Sequence, residues 1–149
     1  MRLRYLAPVF IQAFAAISAT TVLAVEPPTV EVYKSPTCGC CTEWVAHMKK
    51  NGFNVQVHDV RNVTPIRQRF GVPDSMESCH SAMVGGYAVE GHVPAADVKR
   101  LLRERPKATG IAVPGMAQGS PGMEQGGRED RYQVLLFDGN GRYTVFERH

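Results

Sequence analysis

Residues 30–41, VEVYKSPTCGCC, decide the fold when read together with residues 42–60. Val30-Glu31-Val32-Tyr33 has the β-branched and aromatic content of a short strand. Ser35-Pro36-Thr37 turns the chain, and Cys38-Gly39-Cys40-Cys41 runs straight into a helix. In that helix Cys41, Trp44, Val45 and Met48 recur at helical spacing and make one buried stripe, and Gly52 ends it. Residues 53–60, FNVQVHDV, alternate apolar and polar, the signature of a second strand. Strand, helix and strand at this spacing form a βαβ unit with a right-handed crossover.

Working outward, Thr64-Pro65 opens a second helix, with Thr64 as N-cap and Pro65 in its first turn, and the helix ends near Phe70-Gly71. Val72-Pro73-Asp74 starts a short turn leading to Cys79. Residues 81–90, SAMVGGYAVE, form a strand or hairpin bent at Gly85-Gly86. Residues 94–103 make a third helix, with Val98, Leu101 and Leu102 on one face and Pro106 as its stop. Residues 109–127, TGIAVPGMAQGSPGMEQGG, read as one long loop, and loops beyond about 12–15 residues are usually functional or disordered. Residues 132–137 and 142–148 are two strands joined through Asp138-Gly139-Asn140-Gly141. The order β-α-β-α-β-α-loop-β-β predicts an α/β fold: a thioredoxin-like mixed sheet flanked by helices, with a C-terminal β-hairpin.

Of the 149 residues, 44% are hydrophobic and 21% charged, the balance of a globular chain rather than a disordered one. A formal charge of +3 is too small to predict a nucleic-acid or membrane-surface partner. Residues 1–24, MRLRYLAPVFIQAFAAISATTVLA, show the order of a secretory signal: Arg2 and Arg4, then a mostly apolar run, then Val22-Leu23-Ala24 at a cleavage point. The expectation is export with cleavage after Ala24, leaving 25–149 as one domain in an oxidising compartment. Cleavage removes two arginines and brings the charge to +1. The mature chain contains no apolar stretch long enough to cross a bilayer.

All four cysteines lie in that mature part. Cys38 and Cys41 form a C-x-x-C after a strand and at a helix start, where a thioredoxin-like fold places a redox pair as attacking and resolving thiols. The helix N-terminus favours the thiolate. Such a thiolate attacks disulfides and also binds soft metals. Cys40, lying between the two, weighs towards metal: a third thiol invites scrambling in a redox pair but adds a ligand for copper(I), zinc or an iron–sulfur cluster. Zinc favours two separated pairs of ligands, whereas three crowded sulfurs suit a compact polynuclear copper(I) site, completed by Cys79 if the fold brings it to the helix start. The bland alternative is structural disulfides, for example Cys38 or Cys40 with Cys79.

His80 adjoins Cys79 and is a candidate ligand. His47, beyond Cys41 on the helix, reads as a surface residue; His58 and His149 carry no functional signal, and the role of His92 before Val93-Pro94 is open. Met48 belongs to the helix stripe. Met116 and Met123 each follow a glycine in the long loop, and their thioethers are either soft copper ligands or apolar pins for the loop.

Taken together, CGCC after YKSPT, then SCHSA, GYAVEGHVPA, VKRLLRERP and VPGM…GSPGME resemble the exported CopG-type copper proteins, long labelled a domain of unknown function. The resemblance runs from about Val30 to the final hairpin. It implies a thioredoxin-like fold, a copper cluster held by cysteine sulfur, a part in copper homeostasis or resistance in the bacterial periplasm, and copper or thiol redox chemistry. Carried over, it assigns metal ligation to Cys38, Cys40, Cys41 and Cys79, with His80, Met116 and Met123 beside them. Ala117 departs from the proline that the family pattern leads one to expect after the methionine.

The expected function is therefore an exported protein holding several copper(I) ions, with copper ions and other periplasmic copper-handling proteins as partners. A thiol–disulfide oxidoreductase using Cys38 and Cys41 is the alternative, and a chaperone that only delivers copper is a third reading.

Overall fold

The computed structural model describes residues 28–124, 127 and 130–149. The expected signal segment, 1–24, lies outside the described residues. Strand β1 (Val30–Lys34), helix α1 (Gly39–Lys50) and strand β2 (Val55–Asp59) form the anticipated βαβ unit, with β1 and β2 parallel. Helix α2 (Thr64–Arg69) and a 3₁₀ turn at Asp74–Met76 lead to β3 (His80–Val84) and β4 (Tyr87–Glu90). Helix α3 (Ala95–Glu104), β5 (Gly110–Ala112), β6 (Gln133–Phe137) and β7 (Tyr143–Arg148) complete the chain.

The seven strands form one mixed sheet in the order β2-β1-β3-β4-β5-β6-β7. Strand β3 runs antiparallel to both β1 and β4. The β1-α1-β2 unit followed by β3-β4-α3 is the thioredoxin-like arrangement, and β6-β7 is the C-terminal hairpin.

Residues 81–90, readable as either strand or hairpin, are a hairpin turning at Gly85-Gly86, both at positive φ. The expected 109–127 loop needs a correction, because its first residues are strand β5, parallel to β4 and antiparallel to β6. Gly110 explains why the signal is weak. A Cβ there would lie 2.0 Å from the Ala88 carbonyl oxygen, so a poor strand former is the residue that lets β5 close on β4. The cap of α2 is also corrected: Thr64 is already helical, and its N–H donates to Asn62 Oδ1 at 3.0 Å.

The core is the α1 stripe packed on the sheet. Cys41, Trp44 and Met48 are fully buried with Val30, Val32, Ala82, Val98, Leu101 and Ile111. Each large apolar side chain so placed stabilises the fold by roughly 1.5–3 kcal/mol. Trp44 also donates from Nε1 to the Val93 carbonyl at 2.8 Å, tying α1 to the segment that starts α3. His47, expected on the surface, is half-buried, and its Nε2 accepts from the Ala95 N–H at 3.0 Å. Burial of that ring lowers its pKa, which fits an imidazole acting as acceptor at an open helix N-terminus.

Candidate metal centre

The geometry begins at the start of α1. Cys38 is its N-cap, with Sγ accepting from the Cys41 N–H at 3.3 Å. The buried stripe of α1 fixes the rotation of the helix, so Cys41 faces inward and Cys40 is only half-buried. Cys38 and Cys41 are joined as a disulfide. Cys40 is a free thiol whose Sγ lies 3.5 Å from Cys38 Sγ.

Cys79 arrives from the other side, on the residue before β3. Because β3 is the direct neighbour of β1, its first residues lie beside the turn at the end of β1. The Cys79 carbonyl oxygen is 3.8 Å from Cys41 Sγ, and its thiol is free. The sulfurs of Cys38, Cys40, Cys41 and Cys79 all lie within 4.8 Å of one another. All four cysteines of the chain thus meet in one place. The pairing of Cys38 with Cys41 differs from a structural staple to Cys79.

Two histidines line the Cys79 side. His80 is fully buried against Trp44, with ring centroids 4.4 Å apart; its Nδ1 is 3.4 Å from Cys79 Sγ and its Nε2 has no hydrogen-bond partner among the described residues. His92 is also buried, with Nε2 3.0 Å from Cys79 Sγ and Nδ1 2.8 Å from the Pro121 carbonyl oxygen. A carbonyl only accepts, so Nδ1 carries the proton and Nε2 turns its lone pair to the sulfur. Cys79, His80 and His92 form a second set of donors within 4.8 Å, sharing the Cys79 sulfur with the first. The role of His92 was open on sequence grounds. Its signal is only topological, since it lies just past the end of β4, next to the strand that Cys79 precedes.

Electrostatics are set by burial. Burial, and then the charge of neighbouring Cys40, push the Cys79 thiol up to about 12. Burial, and then the charge on His92, hold His80 well below the usual imidazole value, and burial lowers His92 as well. Near neutral pH this side of the centre is a thiol between two uncharged imidazoles. A bound cation would reverse the balance for the thiol, because a soft metal ion displaces its proton.

The long loop closes over the centre. Pro121 receives the His92 bond, and Gly122 presses on the first turn of α1. A Cβ on Gly122, which has φ +87°, would lie 2.7 Å from the Cys40 carbonyl oxygen and 2.9 Å from the Trp44 nitrogen. Met123, the next residue, is buried, whereas Met116 is 56% exposed. The two loop methionines, equivalent by sequence, therefore occupy opposite environments.

Fold and site define a thioredoxin-like protein with a four-cysteine centre, able to hold a metal, at the start of its first helix. Residues 76–123 match the DUF411 family, described as a protein of unknown function. Two solved structures, both titled copper resistance protein copG (Form 2 and Form 1), are each 46% identical to this chain and cover 83% of it. The match spans 99% and 98% of those chains, with TM-scores of 0.79 and 0.78. No curated protein matches. The chain belongs to the CopG family of copper resistance proteins. Among the described residues, no helix is long and apolar enough to cross a membrane.

Proposed function

We propose that this protein is exported to the bacterial periplasm and there binds several copper(I) ions through Cys38, Cys40, Cys41 and Cys79, serving copper homeostasis or resistance. The convergence of four sulfurs within 4.8 Å carries the reading. Thiolates select soft, polarisable cations, and bridging sulfur lets a few ligands hold several ions. The copper resistance proteins to which the chain is 46% identical point to the same metal. The signal-like pattern of residues 1–24 supports export.

Ring nitrogens of His80 and His92 lie beside the Cys79 sulfur. His92 has the arrangement of a metal-ligating imidazole, one ring nitrogen fixed by a backbone carbonyl and the other directed at the site. His80 and the loop residues Met116 and Met123 are the further candidate donors. Copper here is cargo, and Cys38 and Cys41 supply the redox chemistry. Closing the two thiols to a disulfide releases two protons and two electrons, enough to reduce two copper(II) ions to copper(I). The oxidised pair then lacks two thiolates and holds the metal less tightly; thiol–disulfide exchange with an external dithiol, itself oxidised to a disulfide, returns the two thiols and restores the site. Other periplasmic copper-handling proteins are the proposed partners.

The Cys38–Cys41 disulfide at a helix start also favours a second reading, a thiol–disulfide oxidoreductase. One comparison separates the two. Fully reduced protein should take up several equivalents of copper(I), and Cys38→Ser/Cys41→Ser should lose most of them. An unchanged copper number in the double variant rejects the site. Reduction of insulin by metal-free protein, at a rate indifferent to copper chelators, supports the second reading instead.

A further inference from the structure

Behind Cys79 lies a charged network that takes no part in the sulfur chemistry. Arg67, on α2, and Glu90, at the end of β4, are 4% and 0% exposed. Arg67 Nε donates to Glu90 Oε1 at 2.9 Å, Arg67 Nη2 donates to the Ser78 carbonyl at 2.6 Å, and Nη1 pairs with Glu77 Oε1 at 3.1 Å. Glu90 Oε1 also accepts from the Ser78 N–H at 2.8 Å, while Oε2 accepts from Ser81 Oγ. Ser78 Oγ in turn donates to the Gly115 carbonyl, and the Gly115 N–H donates to the Glu77 carbonyl oxygen at 2.9 Å.

Every polar group of Ser78 is thereby held. Its N–H and C=O go to the ion pair, and its hydroxyl goes to the loop next to Met116. Ser78 is the residue before Cys79, in irregular backbone between the 3₁₀ turn and β3. A buried ion pair is a poor stabiliser, since well-packed apolar residues of similar volume often do as well or better. Its advantage is direction: the planar guanidinium fork fixes two acceptors at once.

We propose that Arg67 and Glu90 are positioning residues that aim Cys79 at the start of α1 and seat the Met116 loop against the same turn. The proposal deepens the copper reading, on which it rests for the identity of the cargo. The aim of Cys79 is a separate matter and can be read without copper. A lost pair frees Ser78, and the Cys79 sulfur then leaves the set formed with Cys40.

The test uses the whole chain carrying Cys38→Ser/Cys41→Ser, in which Cys40 and Cys79 are the remaining cysteines. A short bifunctional thiol reagent should bridge them in high yield. Adding Arg67→Met/Glu90→Leu should cut the bridged yield at least five-fold while the thermal midpoint stays within a few degrees. Arg67→Lys keeps the charge but loses the fork, and should lower the yield in a protein that folds. Glu90→Gln, which keeps an acceptor for the Ser78 N–H, should retain most of the bridged yield. With all four cysteines present, the apolar pair should reduce copper(I) equivalents and weaken the thiolate-to-copper absorption.

An unchanged bridging yield in folded Arg67→Met/Glu90→Leu overturns the proposal. If the apolar pair does not fold, an unchanged yield in Arg67→Lys does so. Bridging that responds as expected in a chain that binds no copper upholds the positioning role and removes the copper reading alone.

Discussion

The β6-β7 hairpin and the turn that delivers Cys79 belong to one sheet, yet they handle polar groups in opposite ways. On the hairpin, Asp138 pairs with Arg142 in water, 79% of the arginine side chain being exposed, and Arg100 joins Glu147 at 2.9 Å on the surface. The bond from Arg142 holds the Asp138 carboxyl below its usual range, but in solvent such pairs contribute little. At the Cys79 turn, Arg67, Glu90, His80 and His92 are all buried and hydrogen-bonded, with only His80 Nε2 left without a partner among the described residues. One region is replaceable because water stands ready to solvate whatever is removed. The other is interlocked because nothing else can satisfy a group left behind.

Truncation of a buried charge should break that contrast most sharply. Glu90→Ala takes from Arg67 its buried counter-charge, leaving only the exposed Glu77, and should cost about 3–5 kcal/mol, measured by denaturant unfolding. A cost under about 1 kcal/mol would put the pair in the same class as the hairpin's. Gly122→Ala should come next, since it forces an L side chain at positive φ into the Cys40 carbonyl. A loss of about 2 kcal/mol is expected from strain and displacement of the loop, together with faster alkylation of Cys40. Wild-type stability and reactivity in that variant would mean that the loop does not bear on the helix start.

Acid sharpens the comparison through the histidines. His80 and His92 have folded pKa values below the ordinary 6.5, so they stay neutral when the unfolded chain takes up protons. Their contribution to stability is complete above 6.5 and is lost as pH falls from there through their folded values. The unfolding midpoint should therefore drop between about pH 7 and 5, and His80→Phe should flatten that slope. An equally steep slope in the variant would assign the acid sensitivity elsewhere. The smallest effect belongs to the hairpin: Arg142→Ala should shift stability by no more than about 0.5 kcal/mol and leave copper uptake unchanged.

Much of the architecture is legible in the chain itself. Period and turn chemistry locate α1, β1, β2 and the final hairpin, because each carries its own local signal. The C-x-C-C cluster announces soft-metal or thiol chemistry, because few other purposes crowd three sulfurs into four residues. Strand β5 escapes because three residues with a leading glycine carry no period. His47 passes for a surface residue because its partner, the Ala95 N–H, lies on another helix. His92 gives no signal because an imidazole before a helix looks the same whether or not a thiol stands 3.0 Å away.

The residues alone determined that this is a thioredoxin-like α/β chain with a sulfur-rich helix start, since propensity, periodicity and thiol chemistry act over a few neighbouring positions. Tertiary structure decided the rest: that Cys79 completes the set, that His92 faces it, that Met123 is buried while Met116 is exposed, and that Arg67 and Glu90 grip the turn behind it. Those relations depend on β3 lying beside β1 and on a loop folding back over α1, and pairings across such distances in the chain leave no mark on local sequence.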